Sequence, residues 1–446
     1  MPIKHTLQRL LRGAQARTTM LRAISALWLG TMAGAALAFA TQVALARLLG
    51  VDQFGAFSAA LAVVTLLAPL AGFGIGGYWL HLFGSEGWRA QRWLPGSLRF
   101  VTLTAAAAVA LLCGWAWIGP HDGGTAWLLS LLAIHIPGLA ATDLAGAKFQ
   151  LEGRHDRLAI LQFAPSLFRL AGVVSLALLL GTSAFTANHA AVAYMAVALA
   201  FLLIGGRQMA LMRGGRLALH GHGIPMRGVH EPADDRPGLM TIARAAWPYG
   251  LAGIFYLIYF QSDIILIRYI VGERASGIYN VAFMVMAAIY LLPGVVYQKF
   301  MLPRLHYWAH HDVARLHATY RAGNRVMLAL GLVSMLLLLV LAPLLLPRVF
   351  GEAYRDSVTL LQILAVAAPF RFVASSAAAV LTTRSHVRTK VRLMGWAALI
   401  NVGLNFALIP TYGAIGAAVA TVSTEALLTG MFVLKVKSAR FEETIT

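Results

Sequence analysis

Apolar stretches long enough to cross a lipid bilayer recur about a dozen times along this chain, and no other feature constrains its fold so strongly. They fall at roughly 23–46, 55–80, 97–118, 124–147, 158–181 and 189–211, then at roughly 246–270, 278–302, 325–347, 357–382, 393–410 and 414–435. A helix rises about 1.5 Å per residue, so about 20 residues span roughly 30 Å of hydrocarbon. Hydrocarbon offers backbone groups no water, and each run must satisfy its own N–H and C=O groups as a helix. A soluble surface needs roughly a quarter of the residues charged. Here 12% are charged, against 59% hydrophobic. The expected class is an all-α integral membrane protein of about twelve transmembrane helices. The first run follows a basic segment and is too long for the apolar part of a signal peptide, so an uncleaved first span is expected.

The formal net charge of +19, from 36 Lys and Arg against 17 Asp and Glu, would point to nucleic acid in a soluble protein. Its distribution points elsewhere. With the N-terminus cytoplasmic and loops assigned alternately, basic residues crowd the inside: Lys4 to Arg22, Arg89 to Arg99, Lys148 to Arg157, Arg207 to Arg244, Lys299 to Arg325, Arg384 to Arg392 and Lys435 to Arg440. The outside loops hold only Arg47, Arg268, Arg274, Arg348 and Arg355. Retained positive charge sets orientation, so both termini are expected in the cytoplasm and no nucleic acid is expected as a partner. Segment 1–22 reads as a basic helix on the anionic inner leaflet, in contact with membrane lipids, and 437–446 as a cytoplasmic tail. The single cysteine, Cys113, excludes an intramolecular disulfide.

The chain also repeats. Displaced so that Gly50 lies over Gly272, Gly50-Val-Asp-Gln-Phe-Gly55-Ala-Phe57 faces Gly272-Glu-Arg-Ala-Ser-Gly277-Ile-Tyr279, Ala60 faces Ala282 and Gly72 faces Gly294, without a gap. Six spans separate the copies and both begin on the same side. Two six-helix lobes are therefore expected, as a parallel pseudo-twofold repeat about an axis along the membrane normal. They are expected at 23–212 and 245–436, joined by a cytoplasmic linker, 213–244. Such lobes rock about a central site. No P-loop sequence occurs, so the expected driving force is a Na+ or H+ gradient, the substrate's own gradient or a separate partner, with no cofactor.

Three stretches carry a family resemblance. The first is Arg47-Leu-Leu-Gly-Val-Asp-Gln-Phe-Gly55, and the second is Ser262-Asp263 followed by Gly277-Ile-Tyr-Asn-Val-Ala282. The third and most specific is Asn401-Val-Gly-Leu-Asn405-Phe-Ala-Leu-Ile-Pro410-Thr-Tyr-Gly413-Ala-Ile-Gly416, continuing to Thr421. In this order they resemble the polysaccharide transporter (O-antigen flippase-like) family of the multidrug/oligosaccharidyl-lipid/polysaccharide (MOP) exporter superfamily. The resemblance implies the MOP exporter fold in a bacterial inner membrane. It also implies flipping of undecaprenyl-pyrophosphate-linked oligosaccharide for O-antigen, lipopolysaccharide or other surface polysaccharide biosynthesis, with other polysaccharide-assembly proteins as partners. Twelve spans, rather than fourteen, set the chain apart from the related lipid II flippases. One rival reading is an ion-coupled multidrug exporter on the same fold, which would need an acidic cavity. Another is a membrane-embedded glycan ligase or polymerase, which would need a long outside loop for its catalytic residues.

Ionisable side chains inside spans are costly unless they meet a partner or a wet cavity. The deep set is Asp143, Arg169, Asp263, Arg371 and Glu425. Arg169 and Arg371 belong to different lobes, and two guanidiniums facing a shared cleft would suit a pyrophosphate. Alternatively, Asp143 neutralises Arg169 locally. Asp263 either binds Na+ or H+ and couples its gradient, or pairs with Arg268 or Arg47 to lock an outer gate. Glu425 and Asp143 are candidates for the same roles. Gln42, Gln261 and Tyr256 are candidate sugar contacts, although interhelical hydrogen bonding is the commoner use of polar side chains in spans. His306, His310, His311 and His317 share one inside loop without the cysteine or carboxylate that would complete a metal site, and no metal is expected. Gly50, Gly55, Gly272, Gly277, Gly413 and Gly416 are expected to shape turns and close helix contacts, and Pro69, Pro248, Pro293 and Pro369 to kink spans.

Overall fold

A computed structural model of the chain describes residues 28–220, 237–294, 312–382 and 388–438 and isolated positions between 296 and 308, with the helical backbone alone at 2–27, 252, 387 and 439–445. Its helices are α1 (Pro2–Leu67), α2 (Ile75–Glu86), α3 (Leu94–Ile118), α4 (Gly123–Ala133), α5 (His135–Leu151), α6 (His155–Leu180) and α7 (Ala187–Arg213). They continue as α8 (Leu239–Ile270), α9 (Glu273–Gly294), α10 (Val313–Phe350), α11 (Ser357–Ala365), α12 (Ala367–Leu381) and α13 (Val387–Ile445). No strand occurs among the described residues.

Two of these helices are hairpins. As one rod, the 66 residues of α1 would run to about 100 Å, three times the hydrocarbon thickness. The backbone leaves the helical region at Gly50 (φ 69°, ψ 177°), a conformation essentially confined to glycine. Gln42 and Leu61 consequently line one cavity, although a straight helix would hold them about 28 Å apart. In α13 the break is Gly413 (φ 58°, ψ −139°). Asn405 and Thr421, on either side of it, both hydrogen-bond Asp263.

Among the described residues, eight stretches can cross a membrane by length and apolarity, or nine when α11 and α12, bent by 43°, count as one span. One of them, 28–118, is divided at Gly50 and at the 3-10 turn Gly87–Trp93, where the chain folds back and Tyr78 meets Trp93 at 5.6 Å. Another, 388–438, is divided at Gly413. With these reversals counted, the twelve expected spans are recovered. Several are longer than their apolar windows, because helices continue into polar flanks. α10, for example, begins at an Asp312 carboxylate that accepts from the Arg315 N–H at 2.8 Å. Helical backbone is also continuous from Pro2 into the first span, so the basic segment is not set apart by a break. Of the four prolines, Pro69 sits in a 3-10 turn that interrupts a span and Pro369 just beyond the 43° bend, whereas Pro248 and Pro293 lie within α8 and α9.

The two copies of the repeat meet face to face. A methyl group added at Gly55 would collide with the backbone of Glu273 and Gly277, and one at Gly277 with that of Val51 and Gly55. One turn further on, Asn280 donates to the Ser58 hydroxyl at 2.8 Å. In the repeat register Gly55 is the counterpart of Gly277, and Ser58 of Asn280. Equivalent positions of two copies touch only near the axis that relates them, so the axis passes between the second arm of α1 and α9. Leu45, Phe54, Phe57, Tyr279 and Tyr354 are buried around this seam. Away from it, α6 and α10 expose large apolar side chains such as Leu178, Leu179 and Val340, the surface that a lipid solvent requires.

Candidate functional site

Three interior cavities lie along and beside the seam. The axial one, of 180 Å³, is walled by counterpart pairs: Ser58 with Asn280, Leu61 with Phe283, Ala62 with Met284, and Thr65 with Ala287. Gln42 and Gln261 complete its polar lining. The Gln42 side-chain oxygen is buried and has no hydrogen-bond partner in the protein.

Gln42, Leu61 and Thr65 also line a second cavity, of 220 Å³, inside the N-terminal lobe. Arg169 reaches it from α6, His135 from the start of α5, and Tyr194 from α7. The Arg169 guanidinium stacks 5.1 Å from the centre of the Tyr194 ring, and its Nη2 lies 3.5 Å from His135 Nε2. Local neutralisation by Asp143 does not occur, since no ion pair joins the two. Asp143 instead faces α2, with its carboxylate against Gly76.

The third cavity, of 470 Å³, belongs to the C-terminal lobe and is lined by Tyr256, Arg371 and Lys390 among others. Glu425, fully buried, accepts from Arg371 at 3.3 Å. The guanidinium also lies over the rings of Phe260 and Tyr290, at 4.9 and 5.3 Å. Arg169 and Arg371 thus occupy separate cavities, each walled by its own lobe. This corrects the expectation of one shared cleft. Equal depth in two spans leaves open which way each side chain points, and both point inward within their lobes.

Among the described residues no arginine pairs with Asp263. Its Oδ2 accepts from the Tyr279 hydroxyl at 2.6 Å and from Thr421, and its Oδ1 from Asn405 at 2.5 Å. Ser262 donates to Asn401, which in turn accepts from Asn405. The expected gate partners are engaged elsewhere, a second correction. Arg47 donates to the carbonyls of Val349, at 2.7 Å, and Arg348. These belong to the last turn of α10, where the helix dipole favours a cation. Arg268 pairs with Glu273 and donates to Thr125 at 3.2 Å. With Tyr354 donating to the Ala46 carbonyl at 3.0 Å, these contacts tie the lobes at the end of the bundle that carries Gly50 and Gly272.

In the sequence the deep charges stand out, but the side chains that meet them do not. His135 was one histidine among fourteen, and its only signal was a ring nitrogen inside an apolar run. In the sequence Lys390 looks like a loop charge, and Tyr279 like part of a repeat motif. Among the described residues no three His, Cys, Asp or Glu side chains converge as metal ligands. His306, His310 and His311, like the linker residues 221–236, lie outside the described residues.

No family model and no curated relative matches the chain. Solved structures do. The fold is similar to that of the lipid II flippase MurJ in an inward closed conformation, with a TM-score of 0.73 and 13% identity over 92% of this chain and 87% of that one. It is similar to a multidrug resistance MATE family transporter of the MOP superfamily in an inward-facing conformation, with a TM-score of 0.66 and 16% identity over 95% and 100%. A MOP superfamily transporter from Pyrococcus furiosus, described as having a binding pocket of reversed polarity, matches with a TM-score of 0.55 and 12% identity over 94% and 95%. At such identities the likeness is one of fold alone, the fold that these solved transporters share.

Proposed function

We propose that this chain flips an undecaprenyl-pyrophosphate-linked oligosaccharide from the cytoplasmic to the periplasmic leaflet of a bacterial inner membrane, by alternating access of its two lobes, for surface polysaccharide such as O-antigen. One observation carries the reading. Every charged side chain lining the three cavities is basic, namely Arg169, Arg371 and Lys390. With Arg371 paired to Glu425, Arg169 and Lys390 still leave the lining net positive, which attracts a pyrophosphate and repels a cationic drug. Arg371 and Arg169, each in the cavity of its own lobe, are the proposed pyrophosphate contacts, and Gln42, Gln261 and Tyr256 the proposed sugar contacts. The MATE family likeness supports an ion-coupled drug exporter as the second reading. Against it, Asp263 and Glu425 line none of these cavities.

Asp263 is the proposed coupling residue. A carboxylate 2% exposed with no basic group within 4 Å among the described residues needs a proton or a metal cation. The Thr421 hydroxyl and the unpartnered Asn405 Oδ1 are oxygens at hand for Na+.

Deleting the gene in its bacterial host tests the flippase reading. Lipid-linked repeat units should accumulate in the inner leaflet and surface glycan should disappear. The wild-type chain should restore both, and a chain with Arg169→Ala and Arg371→Ala should not. Undiminished surface glycan after deletion would overturn the proposal.

A further inference from the structure

A groove of 630 Å³, larger than each of the three cavities described above, runs along the N-terminal lobe between α3 and α7. Residues 98–109 of α3 and 202–213 of α7 form its walls, and 134–144 of α4 and α5 its floor. Helix packing creates it. A methyl group added at Gly138 would collide with Ala198, and one at Gly205 with Ala141, so α5 and α7 run parallel in backbone contact. α3 returns antiparallel to α4, with Trp117 donating to the Ser130 hydroxyl at 3.1 Å. The walls therefore flank α5 and leave a gap between them.

The polar side chains of its lining are Thr102 and Arg213. The Thr102 hydroxyl is engaged, donating to the Leu98 carbonyl at 2.9 Å. Arg213 is exposed, and among the described residues no carboxylate lies within 4 Å of it. Small residues keep the groove open, since Ala106, Gly206 and Ala210 are exposed in its walls. Glycine inside a helix is destabilising relative to alanine. The contact with Ala141 demands it at Gly205, but nothing lies within 4 Å of a methyl group added at Gly206. The missing side chain of Gly206 serves no contact within the protein and leaves room beside it.

We infer that this groove is a binding site for one anionic phospholipid of the inner leaflet, with an acyl chain along its length and the phosphate on Arg213. From Leu202 to Arg213, its last residue, α7 rises about 16 Å. That is half of the roughly 30 Å of hydrocarbon, the depth of one leaflet and of one acyl chain. A polyprenyl chain is several times longer and would overrun the groove. Arg213 stands at the helix end, where a head group lies, and the nearby chain carries Arg89, Arg92, Arg99 and Arg216, which by charge assigns this end to the cytoplasmic face. Basic pockets between membrane helices on that face hold anionic head groups. No acidic side chain lines the groove to receive the ammonium of a zwitterionic lipid. The inference goes beyond the flippase reading and does not depend on it.

The test is native mass spectrometry and thermal unfolding of the purified full chain in detergent, with added phosphatidylglycerol or phosphatidylcholine. One phosphatidylglycerol per chain should be retained and should raise the unfolding temperature, whereas phosphatidylcholine should do neither. Arg213→Gln should weaken phosphatidylglycerol binding about fivefold, and Gly206→Leu, which fills the groove, should abolish it. Arg207→Gln removes an exposed charge from the same helix outside the groove and should leave binding unchanged. Should Gly206→Leu fail to fold, Ala106→Leu narrows the groove from the facing wall. Equal retention of the two lipids, or phosphatidylglycerol binding that survives both Arg213→Gln and the filling variant, overturns the inference. Displacement of phosphatidylglycerol by a polyprenyl monophosphate also overturns it and gives the groove to a substrate tail. Surface glycan in the deletion strain judges the flippase reading separately.

Discussion

Asp263 and Glu425 are both buried carboxylates of the C-terminal lobe, and their partners set them apart. Glu425 has a guanidinium in reach and is electrically complete, whereas the partners of Asp263 among the described residues are hydroxyl and amide donors. Only the second changes its charge balance when an ion arrives. Asp263→Asn keeps the shape and removes the charge. It is expected to leave the amount of protein in the membrane unchanged, abolish the Na+ or pH dependence of substrate flux in proteoliposomes, and slow that flux about tenfold, the kinetic effect of ~1.4 kcal/mol. Flux that keeps its full ion dependence would remove Asp263 from coupling. Asp263 was legible in the sequence because a charge inside a span stands out. Its partners were not, because Tyr279 and Thr421 lie 16 and 158 positions away and look like ordinary span residues.

At the scale of helices, the second arm of α1 and α9 approach so closely that neither can carry a side chain at Gly55 or Gly277. The atoms in the way are backbone, which cannot turn aside as a flexible side chain would. Gly277→Ala should therefore cost about 1–3 kcal/mol of stability. It should also widen the distance between spin labels placed at Asp52 and Arg274, because the lobes are wedged apart at that end. Gly114→Ala is the control, since nothing lies within 4 Å of an added methyl group there. Equal unfolding temperatures for the two variants in detergent would refute the close-contact account. The sequence marks both glycines through the repeat, but a repeat does not say that its copies touch.

For the whole molecule, the seam ties the lobes where Arg47, Tyr354, Gly55 and Ser58 meet their partners. The basic loops place that end in the periplasm, as an expectation of charge alone. His220→Cys, introduced into a Cys113→Ala background, tests it, since residue 220 follows α7 at the opposite end of the chain's spans and is exposed. An impermeant thiol reagent should label it only from the cytoplasmic side, and labelling of intact cells from outside would invert the topology. The sequence by itself determined the lipid solvent, the count of spans and the internal repeat. These depend only on apolar length and on spacing along the chain, quantities that no neighbour alters. Tertiary structure alone decided that Arg169 meets His135 rather than Asp143, that Arg371 meets Glu425, and that Asp263 meets no arginine among the described residues. Each residue turns its side chain about 100° around a helix from the last, so depth within a span is legible in one dimension while direction is settled only by the helices packed against it.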